Sequence, residues 1–443
     1  MAFERLRLDE LAGTWVGDPC TPFHVGLLGV FDGEPFRRPD GSLDAGRIRD
    51  AVALRAARVP ALRRRVVWTR RGEGLPVWVE DPTFDAARHV VPAHLPAAGS
   101  LPTWAANRTL LPLRDDRPLW RVDVVEGVPD GRFALLVVVH HVLADGLAGL
   151  RLAASLLDGA PDAVVGPVPA REVAPLPSHR RLVADRRAAS RAARRPARGR
   201  PARRSGGGGP AAARAVHQDF RGQEPTTSLP RRVSAARRMV EVTHPLDGLR
   251  EAGHTLGVTL NDVVLAAVTE GLRDLLAARG ELSAGMELRT TVPVASGSGQ
   301  ASGMFVVPLP VGQPDPAARL VRIHGATSAG KARLAGTGGG AEGVLHLPVA
   351  VARPLVRWGR RWGSSRVSLA VSNVPGPTAP LWLAGARMLE AVPIAPLVPL
   401  VPLSVAALSY AGTLAVSVNA DAAVVDLDVM GAGVARALGR FGR

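Results

Sequence analysis

From Gly159 to Ala215 the chain is too rich in proline, glycine and like charge to build a hydrophobic core of its own, and this stretch constrains how the rest can fold. It opens with Pro161, Pro167 and Pro169, and runs through Arg194-Arg195-Pro196-Ala197-Arg198-Gly199-Arg200. It closes with Gly206-Gly207-Gly208-Gly209-Pro210. Proline removes backbone donors, glycine resists ordering, and thirteen arginines against two acids (Glu172 and Asp185) between Arg171 and Arg214 repel one another. The segment therefore reads as a linker, residues 159–215, with room for a short helix near Arg180–Ala193. It divides the 443 residues into a domain over 1–158 and a domain over 216–443.

Both halves mix strand and helix signals, so the expected fold class is α/β, with mixed sheets flanked by helices. Phe23 to Phe31 reads as a strand, and Asp44 to Arg58 as a helix with Asp44 as its N-cap. Leu119 to Val125 alternates as a half-buried strand does. Phe133 to Val139 is a continuous apolar run of strand length, which predicts a central strand covered on both faces. Leu147 to Leu157 follows with helical spacing. In the second half Asn261 to Ala278 reads as a helix starting near Thr259 or Leu260, and Arg366–Val371 and Leu414–Val418 as strands.

Composition narrows the function classes. Cys20 is the single cysteine, which excludes an intramolecular disulfide and a cysteine-based zinc site. No metal and no tightly held cofactor is expected. The N-terminus is charged with no apolar leader behind it. The uncharged run from Ala391 to Ala420 carries Pro393, Pro396, Pro399 and Pro402, which rules out a continuous membrane-spanning helix there. The formal net charge is +16, of which the stretch from Arg171 to Arg214 supplies +11. A cytoplasmic protein is expected, either free or peripheral on the inner face of the membrane or on lipid droplets.

The chemistry concentrates in His140-His141-Val142-Leu143-Ala144-Asp145-Gly146. The two histidines end the Phe133–Val139 strand. Consecutive strand residues point to opposite faces, so at most one of the pair can face a given pocket. A histidine at a strand end in a cleft can act as a general base, because its pKa lies near neutrality. Asp145 can hold the turn by local hydrogen bonds or pair with an arginine, and Gly146 permits a tight backbone path. A buried His pair satisfied by backbone carbonyls is the alternative for an isolated HH. The full spacing H-H-x-x-x-D-G arises by chance only on the order of once per thousand chains of this length.

HHxxxDG at a strand end resembles the signature of the superfamily that includes chloramphenicol acetyltransferase, plant alcohol acyltransferases and peptide-synthetase condensation domains. Further segments bring the chain closest to the bacterial wax ester synthase/diacylglycerol acyltransferase family. In the first half these are Thr21-Pro22-Phe23-His24-Val25-Gly26, Val59-Pro60-Ala61-Leu62-Arg63-Arg64-Arg65, Pro76-Val77-Trp78-Val79-Glu80-Asp81 and Arg117-Pro118-Leu119-Trp120. In the second they are Leu260-Asn261-Asp262-Val263-Val264, Ser372-Asn373-Val374-Pro375-Gly376-Pro377 and Ser409-Tyr410-Ala411-Gly412. The resemblance implies two chloramphenicol-acetyltransferase-like domains with the active site between them. It implies transfer of a long-chain acyl group from acyl-CoA to a fatty alcohol or diacylglycerol, with His141 as general base and His140, Asp145 and Gly146 completing the motif. Asn261 is a candidate oxyanion donor, though a helix-start cap reads equally well there. Asp262, Ser372 and Asn373 are candidates for lining the site, and the Asn373–Pro377 turn is equally readable as structural. Pro118, Leu119 and Trp120 are candidates for shaping the acyl or acceptor channel by packing.

One departure concerns the acceptor. The family usually has an asparagine in a Gly-Asn step after a Val-Pro-Val strand. Here Val292-Pro293-Val294 leads into Ala295-Ser296-Gly297-Ser298-Gly299-Gln300-Ala301-Ser302-Gly303. This leaves open an acyltransferase of specialised metabolism that works on a different polar hydroxyl or amine. A catalytically silent acyl-CoA- or lipid-binding relative is the alternative of another class. The linker arginines suit an anionic membrane or lipid-droplet surface, at about 1 kcal/mol per arginine near the surface. They carry no aromatic residues to stack bases, so nucleic acid is not an expected partner.

Overall fold

The computed structural model describes residues 3–442 except 8–9, 12–13, 16, 71, 144–145, 169–172, 195–223, 231, 296–300 and 337–348. The first half supplies strands β1 (Glu4–Arg5), β2 (His24–Phe31), β3 (Arg64–Val67), β4 (Val77–Glu80), β5 (Val90–His94), β6 (Trp120–Glu126) and β7 (Phe133–His140). Its helices are α1 (Ala45–Arg58), α2 (Leu101–Arg108) and α3 (Gly146–Ala154), followed by α4 (His179–Arg194) within the linker. The second half supplies β8 (Arg237–Pro245), α5 (Leu246–Thr255), α6 (Leu260–Ala278), β9 (Leu288–Ala295), β10 (Ala301–Leu309), α7 (Pro316–Gly336) and α8 (Val349–Ser364). It ends with β11 (Leu369–Pro375), β12 (Trp382–Leu383), β13 (Ala386–Ile394), β14 (Leu403–Tyr410), β15 (Thr413–Asp421) and α9 (Leu427–Phe441).

The first large sheet runs β12-β13-β2-β7-β6-β5, with β5 and β6 parallel and the other pairs antiparallel. The apolar run of β7 makes it an interior strand covered on both faces. Phe133, Leu135 and Val139 pack under α1 and α3, while Ala134, Leu136 and Val138 pack against Ala105 and Ala106 of α2. Helix α1 forms because Asp44 caps it, accepting from Arg47 N at 3.0 Å, and because Ile48, Val52 and Ala56 recur on one face. Burying Ile48 and Val52 contributes roughly 1.5–3 kcal/mol each. A small sheet, β1-β4-β3, covers Leu119 and Val142 with Leu6, Val66 and Trp78.

The second large sheet runs β10-β9-β11-β14-β15-β8, with β11 parallel to both neighbours. One face, carrying Leu369, Val371, Val405, Ala407, Val416 and Val418, packs under α6 and α9. The other face is polar at its centre, and there it meets the first sheet. Buried Ser404, Ser417 and Asn419 donate to the carbonyls of Pro393 and Ala395, at the end of β13. Tyr410 donates to Met388 O at 3.0 Å and accepts from Leu381 N at 2.8 Å. The turn after it, Ala411-Gly412, has φ of 44° and 85°, the conformation of a two-residue hairpin loop, which makes glycine the natural second residue.

Chain order and sheet membership therefore diverge. Residues 382–394 belong by sequence to the second half, yet β13 pairs with β2 along Gly26–Phe31. The exchange is clamped at Asp158, the last residue before the linker. Its backbone pairs with Trp382 in both directions, at 2.7 and 2.9 Å, and its carboxylate accepts from Arg55 and from Ala384 N. Both charged partners are buried. Asp158→Ala would strand the Arg55 guanidinium without a counter-ion, at a cost of about 3–5 kcal/mol. The expected result is a clearly earlier urea unfolding midpoint; an unchanged midpoint would show that the clamp carries no stability.

Candidate active site

Strands β2 and β7 are each eight residues long and pair antiparallel along their full length, so His24 at the start of one lies opposite His140 at the end of the other. Both point to the α2 side, and their rings meet edge to face at 5.5 Å between centroids. His24 is buried and its Nδ1 lies 2.8 Å from Thr109 O, so Nδ1 carries the hydrogen. Gly26, next on that face, lets Thr109 approach: a Cβ there would lie 3.0 Å from Thr109 Cγ2.

His140 is fixed in the complementary way. Its Nδ1 accepts from Val142 N at 3.1 Å, which puts the hydrogen of the neutral ring on Nε2. Burial pushes its pKa down to about 3, helped by His24 and His141 alongside. The same desolvation lowers His24, partly opposed by the Thr109 carbonyl, with Arg121 adding to the depression. Arg121 and Arg108 share the wholly buried Asp123 carboxylate on this face. His140 is thus a neutral structural imidazole across the physiological range.

His141 follows as the first residue of the turn. Its N donates to Phe23 O at 2.9 Å, and its half-buried ring stacks on Phe23 at 4.5 Å between centroids. The turn is tight, with Leu143 N donating to His140 O at 2.8 Å, and Val142 anchors it in the cluster with Leu119 and Trp78. Ala144 and Asp145 lie outside the described residues, so the placement of Asp145 is not described. Gly146 opens α3, which packs against both β2 and β11.

The other sequence candidates separate into groups. Ser372 and Asn373 lie half-buried on β11, the strand against which α3 packs. Asn261 is half-buried in the first turn of α6. Asp262 is wholly buried and engaged: with Thr259 it forms a capping box, and His324 at 2.9 Å and Thr327 at 2.7 Å tie it to α7. Burial opposes its ionisation, but these hydrogen bonds outweigh burial and hold the carboxyl below its ordinary range. Pro118 and Leu119 are buried, Leu119 directly under the motif turn. Trp120 is enclosed in the first core, donating to Leu62 O at 2.7 Å and stacked on His89. Its ring fills the core. Residues 296–300, after the Val-Pro-Val strand, and the linker arginines beyond Arg194 lie outside the described residues.

A cleft of about 910 Å³ runs along the edge strand β8 between α2 and α9, lined among others by Thr103, Glu241, Glu390 and Gly431. Neither motif histidine lines it. Burial, with the Glu390 carboxylate nearby, pushes Glu241 up to about 7. Among the described residues no group of three His, Cys, Asp or Glu side chains could hold a metal ion.

The desolvated imidazole of His140 makes a pH signature. His140 has a folded pKa below its ordinary 6.5, so the unfolded chain binds more protons between those values. The stability it contributes is complete above pH 6.5 and falls as the pH drops toward 3, with His24 acting in the same direction. His140→Asn keeps an acceptor for Val142 N–H but does not titrate. Urea unfolding should show the natural protein losing roughly 2 kcal/mol more than this variant between about pH 6.5 and about pH 5. Parallel losses would mean that His140 is not held neutral.

Comparison with known proteins finds matches in both halves of the chain. The family model for the wax ester synthase/diacylglycerol acyltransferase catalytic domain matches residues 9–264, through the first turn of α6. The WS/DGAT C-terminal domain matches residues 298–441. A protein of Mycobacterium tuberculosis named as a probable diacylglycerol O-acyltransferase is 32% identical over 397 residues, 83% of this chain and 81% of its own length. Among solved structures, the wax ester synthase/diacylglycerol acyltransferase of Marinobacter aquaeolei VT8 superposes with a TM-score of 0.70 at 21% identity. It covers 99% of this chain and 100% of its own. The first condensation domain of the CDA synthetase gives 0.55 at 19% identity, covering 99% and 95%. At these identities the two structures speak to the fold.

Proposed function

The chain belongs to the wax ester synthase/diacylglycerol acyltransferase family, and we propose that it moves a long-chain acyl group from acyl-CoA to a fatty alcohol or diacylglycerol. The observation that carries the proposal is the different treatment of the two adjacent histidines. His140 holds its Nδ1 on the turn and its pKa well below the ordinary value, while His141, equally half-buried, stacks on Phe23 at the start of the turn that leads to α3. Of the two, His141 suits proton transfer.

In the reaction proposed, His141 takes the proton of the acceptor hydroxyl as its oxygen attacks the thioester carbonyl. The carbon–sulfur bond of the tetrahedral intermediate then breaks, and the proton passes to the departing sulfur to give free coenzyme A. General-base help of this kind is worth about 10²–10⁴ in rate. The oxyanion needs fixed donors, for which Asn261 and Asn373 are the side-chain candidates, while Ser372, the strand neighbour of Asn373, points to the other face of β11. Asp262 enters only by fixing the start of α6. The motif resemblance gives Asp145 an orienting role. Acyl-CoA is a co-substrate, and no resident cofactor or metal takes part.

Such acceptors live in bilayers or lipid droplets, so we place the enzyme on the cytoplasmic side, peripheral to an anionic lipid surface reached in part through the linker arginines. No single helix among the described residues is long and apolar enough to cross a membrane. The test is release of free coenzyme A from palmitoyl-CoA with hexadecanol, diacylglycerol or no acceptor. Acceptor-dependent release, lowered about 10²- to 10⁴-fold by His141→Ala, is expected. Release with small polar acceptors alone would overturn the lipid assignment, and a fully active His141→Ala would overturn the mechanism.

A further inference from the structure

Helix α8 joins two features that a soluble face does not need together. Trp358 on it is 65% exposed. Arg353, Arg357 and Arg361, spaced four apart and hence along one stripe, are all exposed, and none has an acidic partner among the described residues. The sequence explains why: between Glu342 and Glu390 there is no acidic residue at all. Like charges at this spacing weaken a helix in water, and an unpaired row persists most readily where an external surface supplies the negative charge.

The helix faces three ways. Val356 and Gly363 turn toward the protein, and the arginine row lies on one flank. Trp358 and Trp362 lie on a third stripe, one turn apart. At its end Arg366 stacks on Trp362, 3.9 Å from the ring centroid, and donates to the Trp362 carbonyl, which fixes the last turn. No other helix or strand packs extensively against α8 among the described residues. The second basic helix, α4, is different. Its Asp185 pairs with Arg5, its His179 with Glu73, its Leu182 is buried, and it carries no aromatic residue.

We propose that α8 is the helix that docks this protein on an anionic lipid surface, lying in the interface with Trp358 at the headgroup–acyl boundary and the arginine row on phosphate headgroups. Charge complementarity and the exposed indole select this occupant. The position suits delivery of an apolar acceptor, because four residues lead from α8 to β11, the strand that carries Ser372 and Asn373. The inference rests on the reading of the protein as a lipid acyltransferase.

The test uses the full chain and vesicles of phosphatidylcholine alone or mixed in equal parts with phosphatidylglycerol, read by co-sedimentation. The natural protein should bind the mixed vesicles and bind those of phosphatidylcholine far less. Replacing the three arginines together (Arg353→Gln, Arg357→Gln, Arg361→Gln) should weaken mixed-vesicle binding about a hundredfold. Trp358→Ala should weaken it by a smaller factor that persists in high salt, where charge attraction is screened. Coenzyme A release with detergent-dispersed acceptor, measured in parallel, should be unchanged in both variants. If the natural protein and its variants bind mixed vesicles equally, or if the natural protein binds both vesicle types equally, the docking proposal is overturned. A change in oligomeric state with unaltered vesicle binding would assign the face to a second copy of the chain and also overturn it. Loss of coenzyme A release from the natural protein would instead strike the acyltransferase reading, leaving the vesicle result to stand by itself.

Discussion

The antiparallel pairing of β2 with β7 is the constraint on which the rest of the site depends. Its register leaves no freedom. Phe31 meets Phe133 at one end, and His24 meets His140 at the other. Because β7 is apolar on both faces, shape rather than polarity sets the register. A slip of one residue would exchange the Phe133, Leu135 and Val139 set with the Ala134, Leu136 and Val138 set, and would carry His140 away from His24. Once His140 is set opposite His24, the low-dielectric surroundings disfavour a second proton on either ring, and Val142 N–H fixes the tautomer of His140. The chemistry is thereby shifted one residue along, to His141. That side chain leaves the strand and is steadied by Phe23, itself brought there by the same ladder.

A second constraint joins the halves. Strand β13 leaves the second half to complete the first sheet, and the buried Ser404, Ser417, Asn419 and Tyr410 satisfy carbonyls on and beside it that would otherwise be stranded between two sheets. Polar side chains at such a junction cost little when each finds a partner and a great deal when one does not. The same junction brings α3 against β11, so residues more than two hundred positions apart border one region. The linker need not hold the halves together, which is consistent with its tolerance of so many arginines and glycines.

Much of this was legible in the sequence where local physics decides. The run Phe133–Val139 could only be an interior strand. Asp44 and Thr259 cap the helices that follow them, and the cap at Thr259 also explains Asp262, which the motif resemblance had offered as a site residue. Trp120, read as a shaper of a channel, proves to be a core residue whose indole N–H is satisfied by Leu62. What local pattern could not give was partnership. Nothing in Ala386–Ile394 says which sheet it joins, since its alternation fits either. His24 was visible only as part of a family segment, yet a signal existed. Two eight-residue apolar runs, one starting and one ending in histidine, place those histidines face to face if they pair antiparallel.

The central claim is that the two adjacent histidines are made chemically unlike by the fold, and nitrogen NMR of the histidine rings in the labelled full chain tests it most directly. His140, assigned by its loss in His140→Asn, should remain neutral with its hydrogen on Nε2 from pH 8 down to about pH 5, as a group whose pKa is depressed to about 3 must. Titration of that ring near 6.5, or a hydrogen found on its Nδ1, would contradict the account, because His140 would then be as available for proton transfer as its neighbour.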